Sequence, residues 1–193
     1  ASEEFVKAIK LGVNGKKFLT GYSEGGYIAM ATLKMIEERP ASGISIDATA
    51  VGGGGYNLVN ILKNEIINTT YDFPSDIAML LYSYNSMYDW NRPLLDFFNE
   101  PYASRIPVLF NGEYNRQEIN QQLTNSLDIF LNNDFLNNLR SDSDDELVLI
   151  TALSNNSVDN WTPKSLLSII HGRNDEIIPF SDSEETYNKM VAN

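Results

Sequence analysis

At 193 residues, with 42% hydrophobic and 11% aromatic side chains, the chain has the length and composition of one globular domain with its own core, and disorder is not the starting expectation. The 14 Lys and Arg stand against 26 Asp and Glu, a formal charge of −12 that repels phosphate backbones and argues against nucleic acid as a partner. The absence of cysteine excludes disulfides, thiolate nucleophiles and cysteine metal sites and leaves the compartment undetermined.

No apolar run reaches the ~18–20 residues that cross a bilayer, and ASEEF is acidic where a signal peptide is basic, so the chain reads as soluble with no transmembrane segment. In chain order, residues 3–12 predict a short amphipathic helix ending at Gly12, and Lys16 to Gly21 (KKFLTG) a brief strand entering a glycine-rich turn. A helix follows over Gly25 to Glu38, stopped by Pro40 and Gly43, and Ile44 to Val51 (ISIDATAV) reads as the next strand. Strand, helix, strand without a hairpin signal predicts a parallel crossover.

After the glycine run Gly52 to Gly55 the character changes. Residues 56–163 hold both tryptophans, Asn-rich stretches and apolar positions at helical spacing such as Ile77, Leu80, Leu81 and Tyr84, and predict a mostly helical insertion. Asn111 to Asp145 is polar, and SDSDD at 141–145 reads as a solvated loop or helix start. Core character returns with a buried strand over Leu166 to Ile170, the polar loop HGRNDEIIPF and a helix over Ser181 to Val191. The expected organisation is a core segment 1–55, an insertion 56–163 and a second core segment 164–193. Asn-x-Ser/Thr triplets at Asn68, Asn155 and Asn160 are frequent by chance in an Asn-rich chain.

Gly21-Tyr22-Ser23-Glu24-Gly25-Gly26 contains G-x-S-x-G between a predicted strand and a predicted helix. A serine in that setting occupies a strained elbow. Gly21 and Gly25 leave the tight turn free of side chains, Gly26 lets helix and sheet approach, and the Glu24 N–H at the helix start points toward a developing oxyanion. The plain alternative is a glycine-rich turn with no chemistry. Neither the G-x-G-x-x-G of dinucleotide binding nor a P-loop lysine is present.

About 150 residues later, Ile169-Ile170-His171-Gly172-Arg173-Asn174-Asp175-Glu176-Ile177-Ile178-Pro179 follows a strand in the pattern H-G-x-x-D-x-x-I-P. With GYSEGG and ATAVGGGGYNL, this resembles the α/β-hydrolase superfamily, and within it the lid-bearing secreted lipases and esterases. The likeness covers residues 16–56 and 164–190 and hardly touches the insertion. It implies an α/β fold: a partial parallel sheet with helices on its faces and a helical, lid-like insertion. It implies Ser23 as nucleophile and Asp175 as the triad acid, in the family's order of serine before acid. It also implies four earlier strands, a second oxyanion donor and a downstream catalytic histidine, none of which these 193 residues contain, so the segment is expected to be inactive alone.

His171, the only histidine, has two readings. The family's histidine at this place packs the loop; the other reading makes it the base, which would have to reach Ser23 at hydrogen-bond distance. Asp47 sits within a predicted strand and reads as structural, and Glu176 and Asp182 as solvated or helix-capping groups. Tyr82, Tyr84, Tyr88, Trp90, Phe97, Phe98 and Tyr102 form the insertion's own core or, in part, an apolar pocket above Ser23.

The expected function is cleavage of a carboxylic ester or lipid through an acyl-enzyme, with no cofactor and no metal. A prolyl-peptidase-like serine peptidase and a non-catalytic binding module are the competing readings. The resemblance alone points to a secreted or periplasmic location. Exposed edges of a small sheet predict homo-oligomer formation.

Overall fold

The computed structural model describes residues 2–39 and 43–192; Pro40 lies outside the described residues. Its contacts divide the chain into two units, residues 1–57 with 158–193, and residues 58–157. Residues 56, 57 and 158–163, which the sequence reading places with the insertion, belong to the first of these.

The first unit opens with α1 (Ser2–Ala8). The helix stops earlier than Gly12 because Lys10 takes the left-handed conformation at φ 53°, and the Leu11 N–H reaches back to the Val6 carbonyl at 3.1 Å. Strand β1 (Phe18–Tyr22), helix α2 (Glu24–Glu38) and strand β2 (Ala48–Gly52) follow; β3 (Leu166–Ile170) and α10 (Phe180–Ala192) come from the far end of the chain. The three strands are parallel in the order β1-β2-β3, in the register Phe18–Ala48–Leu166 through Tyr22–Gly52–Ile170.

The second strand begins four residues later than the alternating pattern suggests, because residues 44–47 lie outside the ladder, which starts where Ala48 meets Phe18. Asp47 precedes the strand and fastens it: its carboxylate accepts from Lys16 Nζ at 2.7 Å and from the Lys17 N–H at 2.8 Å. Those bonds, ahead of the charge of Lys16, hold the Asp47 carboxyl below its ordinary pKa. Asp47 thus lies at the amino ends of the strands.

Helix α2 buries Gly26, Ala29, Met30 and Leu33, the i, i+3, i+4, i+7 stripe of an amphipathic helix, against the sheet face carrying Leu19, Val51, Leu167 and Ile169. Met190 of α10 packs in the same cluster with Tyr56, Val158 and Trp161. Alternation puts Phe18, Tyr22, Leu166 and Ile170 on the other face, where they are 69, 75, 77 and 62% exposed.

The second unit consists of α3 (Leu58–Ile66), α4 (Pro74–Met87), α5 (Tyr102–Leu109), α6 (Arg116–Asn120), α7 (Leu127–Phe130), α8 (Asn133–Arg140) and α9 (Leu147–Asn156). Phe97, Phe98 and Phe130 are fully buried at its centre, with Phe97 edge-on to Phe135 at 5.3 Å. The asparagines of the polar stretch act as helix starts. Asn115 and Glu118 form a capping box on α6, Asn132 accepts from the Asp134 and Phe135 N–H groups of α8, and Ser143 accepts from the Asp145 N–H to start a 3₁₀ turn over Asp144–Glu146. Arg92 donates in fork geometry to the buried Glu146 at 2.7 and 3.1 Å while lying over Phe97. No helix among the described residues is long and apolar enough to cross a membrane.

Candidate active site

One residue separates β1 from α2: the strand ends at Tyr22, the helix begins at Glu24, and Ser23 turns the chain at φ 55°, ψ −125°. A non-glycine residue there is strained, and the strain persists because the surroundings fix both sides of it. The Ser23 N–H donates to the Gly52 carbonyl of the adjacent strand at 2.8 Å, and the Ser23 carbonyl accepts from Gly26 and Tyr27 at 2.9 and 3.2 Å. The Ser23 side is exposed. Glu24 is the first helical residue, so its N–H has no partner within the helix and stays available at the positive end of the dipole.

The glycines contribute unequally. A Cβ on Gly21 would sit 1.9 Å from the Gly25 carbonyl oxygen, and one on Gly26 would sit 2.9 Å from the Gly52 carbonyl oxygen. A Cβ on Gly25 would meet nothing within 4 Å. The turn therefore requires Gly21 for closure and Gly26 for helix-to-sheet approach, whereas the steric need expected of Gly25 is absent. Tyr22 is 75% exposed on the open sheet face, with its ring edge against Gly52 and Gly53.

Past β3 the loop 171–179 folds around His171. The histidine side chain is 1% exposed. Its Nε2 lies 3.0 Å from the Ile178 carbonyl oxygen, which can only accept, so this nitrogen carries the proton; Nδ1, 2.6 Å from Ser183 Oγ, then accepts from the hydroxyl in the neutral ring. Both nitrogens are committed inside the loop. Asp175 Oδ1 accepts from the Ile177 and Ile178 N–H groups at 2.9 and 3.0 Å, and its Oδ2 lies 3.4 Å from His171 Nε2. Partial burial works to raise the Asp175 pKa, but the two N–H donors, Ile178 before Ile177, and the nearby His171 bring it below the ordinary value.

Ser23 directly follows the carboxyl end of β1, and Asp175 lies in the loop that follows the carboxyl end of β3, the two strands standing on either side of β2. A cleft of about 880 Å³ opens along Thr20, Tyr22, Ala50, Gly53, His171 and Asp175; Ser23 is not among the residues that line it. Among the described residues no group of three His, Asp or Glu side chains could hold a metal ion.

Asp182 departs from its expected role as a solvated or capping group. It is 6% exposed and accepts from the Tyr56 and Asn57 N–H groups at 2.8 and 3.0 Å. Burial raises its pKa, against the pull of those two bonds. The only signal for this in the sequence is the glycine run before Tyr56, whose backbone donors need a partner that periodicity cannot name. Glu176 is exposed, as expected.

No family model and no curated protein matches the chain. Solved structures do. A point mutant of the rice cell wall degrading esterase LipA from Xanthomonas oryzae superposes with a TM-score of 0.88 at 20% identity, and a ligand-bound form of that esterase with 0.87 at 20%. A candidate hydrolase from Legionella pneumophila superposes with 0.82 at 21% identity. Each match takes in 100% of this chain and 51–52% of the other, so the chain spans about half the length of the structures it matches. The likeness establishes the fold alone: three parallel strands with their helices are arranged as in part of the α/β-hydrolase fold.

Proposed function

We propose that the chain is the nucleophile-bearing part of a serine ester hydrolase working through an acyl-enzyme. The observation that carries the reading is Ser23, exposed and strained at φ 55° between a parallel strand and the start of a helix. Its hydroxyl adds to the ester carbonyl, the proton passes to an imidazole, and the oxygen charge that develops is met by the Glu24 N–H. The imidazole returns the proton to the departing alkoxide, and water then repeats the sequence to release the acid. Asp175, kept ionised by its backbone donors, orients that imidazole and stabilises its charged form. His171 is a poor candidate for that imidazole, since both its nitrogens are already bonded, so the proposal draws the base from polypeptide beyond these 193 residues. The helical unit is proposed to serve as a lid, with Phe97 and Phe98 in its own core rather than in a pocket.

The test is labelling with a fluorophosphonate probe, read by mass at the modified peptide, on this segment and on the longer natural chain, each with a Ser23→Ala control. Labelling of the long form at Ser23, at least ~10⁴-fold faster than the segment, is the expected result. If neither form is labelled, the elbow is structural and a binding module takes the place of the enzyme.

A further inference from the structure

We propose that Asp182 is a positioning residue for the nucleophile, acting through the backbone of Tyr56 and Asn57 on the glycine loop that seats Ser23. The proposal rests on the Ser23 reading above. The loop begins at Gly52, whose carbonyl receives the Ser23 N–H at 2.8 Å and would lie 2.9 Å from a Cβ on Gly26. That carbonyl sets where the elbow sits on the sheet. Gly52 to Gly55 has more backbone freedom than any other four-residue composition, so its path depends on how its two ends are tied. At the near end the Gly53 N–H donates to Ile170 at 2.9 Å. At the far end two successive N–H groups, on the fully buried Tyr56 and on Asn57, end on the two oxygens of Asp182.

The next residue of the same helical turn makes a parallel connection. Ser183, 4% exposed, bonds His171 Nδ1 at 2.6 Å, and His171 shapes the loop that carries Asp175. Adjacent side chains of α10 therefore tie down the loop behind the nucleophile and the loop of the acid together. Asp182 touches neither substrate nor reacting atoms; it fixes the distance between the groups that do. A displacement of about 1 Å in such a placement can cost roughly a hundredfold in rate.

The experiment uses the longer natural chain with Asp182→Asn, which keeps one acceptor and presents an amide to the second N–H, and with Glu184→Gln as an exposed control. Rates of Ser23 phosphonylation and kcat and KM for 4-nitrophenyl acetate are measured per folded molecule. The expected result is a fall of about tenfold or more in kcat and in phosphonylation, with KM within about twofold, for Asp182→Asn only. Hydrogen exchange of the wild-type Tyr56 and Asn57 amides, expected to be slow, covers the case of a variant that does not fold. Full rates in the folded variant, or wild-type amides that exchange at open-chain rates, overturn the proposal while Ser23 labelling stands. A wild type unlabelled at Ser23 overturns the hydrolase reading itself, and this proposal with it.

Discussion

In the helical unit Phe97, Phe98 and Phe130 are fully enclosed, whereas in the α/β unit Phe18, Tyr22, Leu166 and Ile170 keep 62–77% of their surface in solvent. The helical unit is one continuous stretch of chain, 58–157, and closes a core from its own residues. The α/β unit is assembled from two distant stretches, and its helices α2 and α10 pack on one sheet face. Parallel sheets are usually covered on both faces. The contrast therefore separates a core that is complete from a sheet with one face covered and the other in solvent.

The tryptophans allow the contrast to be broken experimentally, since Trp90 lies in the helical unit and Trp161 in the α/β unit. The largest effect is expected from Phe98→Ala, which empties a fully buried ring site and should cost about 3–5 kcal/mol. Read by denaturant titration in single-tryptophan backgrounds, the loss should appear with Trp90 and not with Trp161. Coincident shifts in both would show that the units unfold as one.

A middle effect concerns Glu65, whose pKa is pushed up to about 7 by burial, against the bond from the Tyr71 hydroxyl and with the nearby Asp76 adding to the rise. A carboxyl raised in the folded state binds more protons there than in the unfolded chain between about pH 4.5 and 7. Its stabilising contribution is full below that window and lost as pH rises through it, about 2 kcal/mol in all after allowance for residual solvent access. Glu65→Gln should remove this loss from the Trp90-reported stability measured from pH 5 to 8. An unchanged pH slope would refute the assignment.

The smallest effect is expected on the bare face. Leu166 is 77% exposed, and Leu166→Gln should change stability by less than about 0.5 kcal/mol. A loss above about 1 kcal/mol in a concentration-dependent melt would instead mean that the face is covered in solution, and the contrast between the units would narrow.

The parts of this molecule that follow from local rules were legible in the sequence. Leu166–Ile170 forms the strand its apolar run predicts, but not the buried one expected, since Leu166 and Ile170 face solvent; the G-x-S-x-G turn lies between a strand and a helix as its context requires. What escaped depends on partners far away in the chain. The extent of β2 is set by where β1 begins, and the end of α1 by a lysine in a left-handed conformation that composition assigns to Gly12. The polar stretch after Asn111 hides three helices, two of them started by the caps Asn115 and Asn132, and periodicity does not weigh capping. Asp182 is the clearest case, since its acceptors serve backbone donors 126 and 125 positions earlier.

The junction between the two stretches of the α/β unit is narrow. The Val158 N–H returns to the Tyr56 carbonyl at 2.8 Å, and one step further on the Leu58 N–H meets Ser157 Oγ at 3.0 Å. The hundred residues between therefore begin and end at backbone positions that meet directly. Entry and exit of a long stretch at neighbouring backbone positions is the geometry at which chains accept insertions and exchanges, since the flanking stretches already meet there.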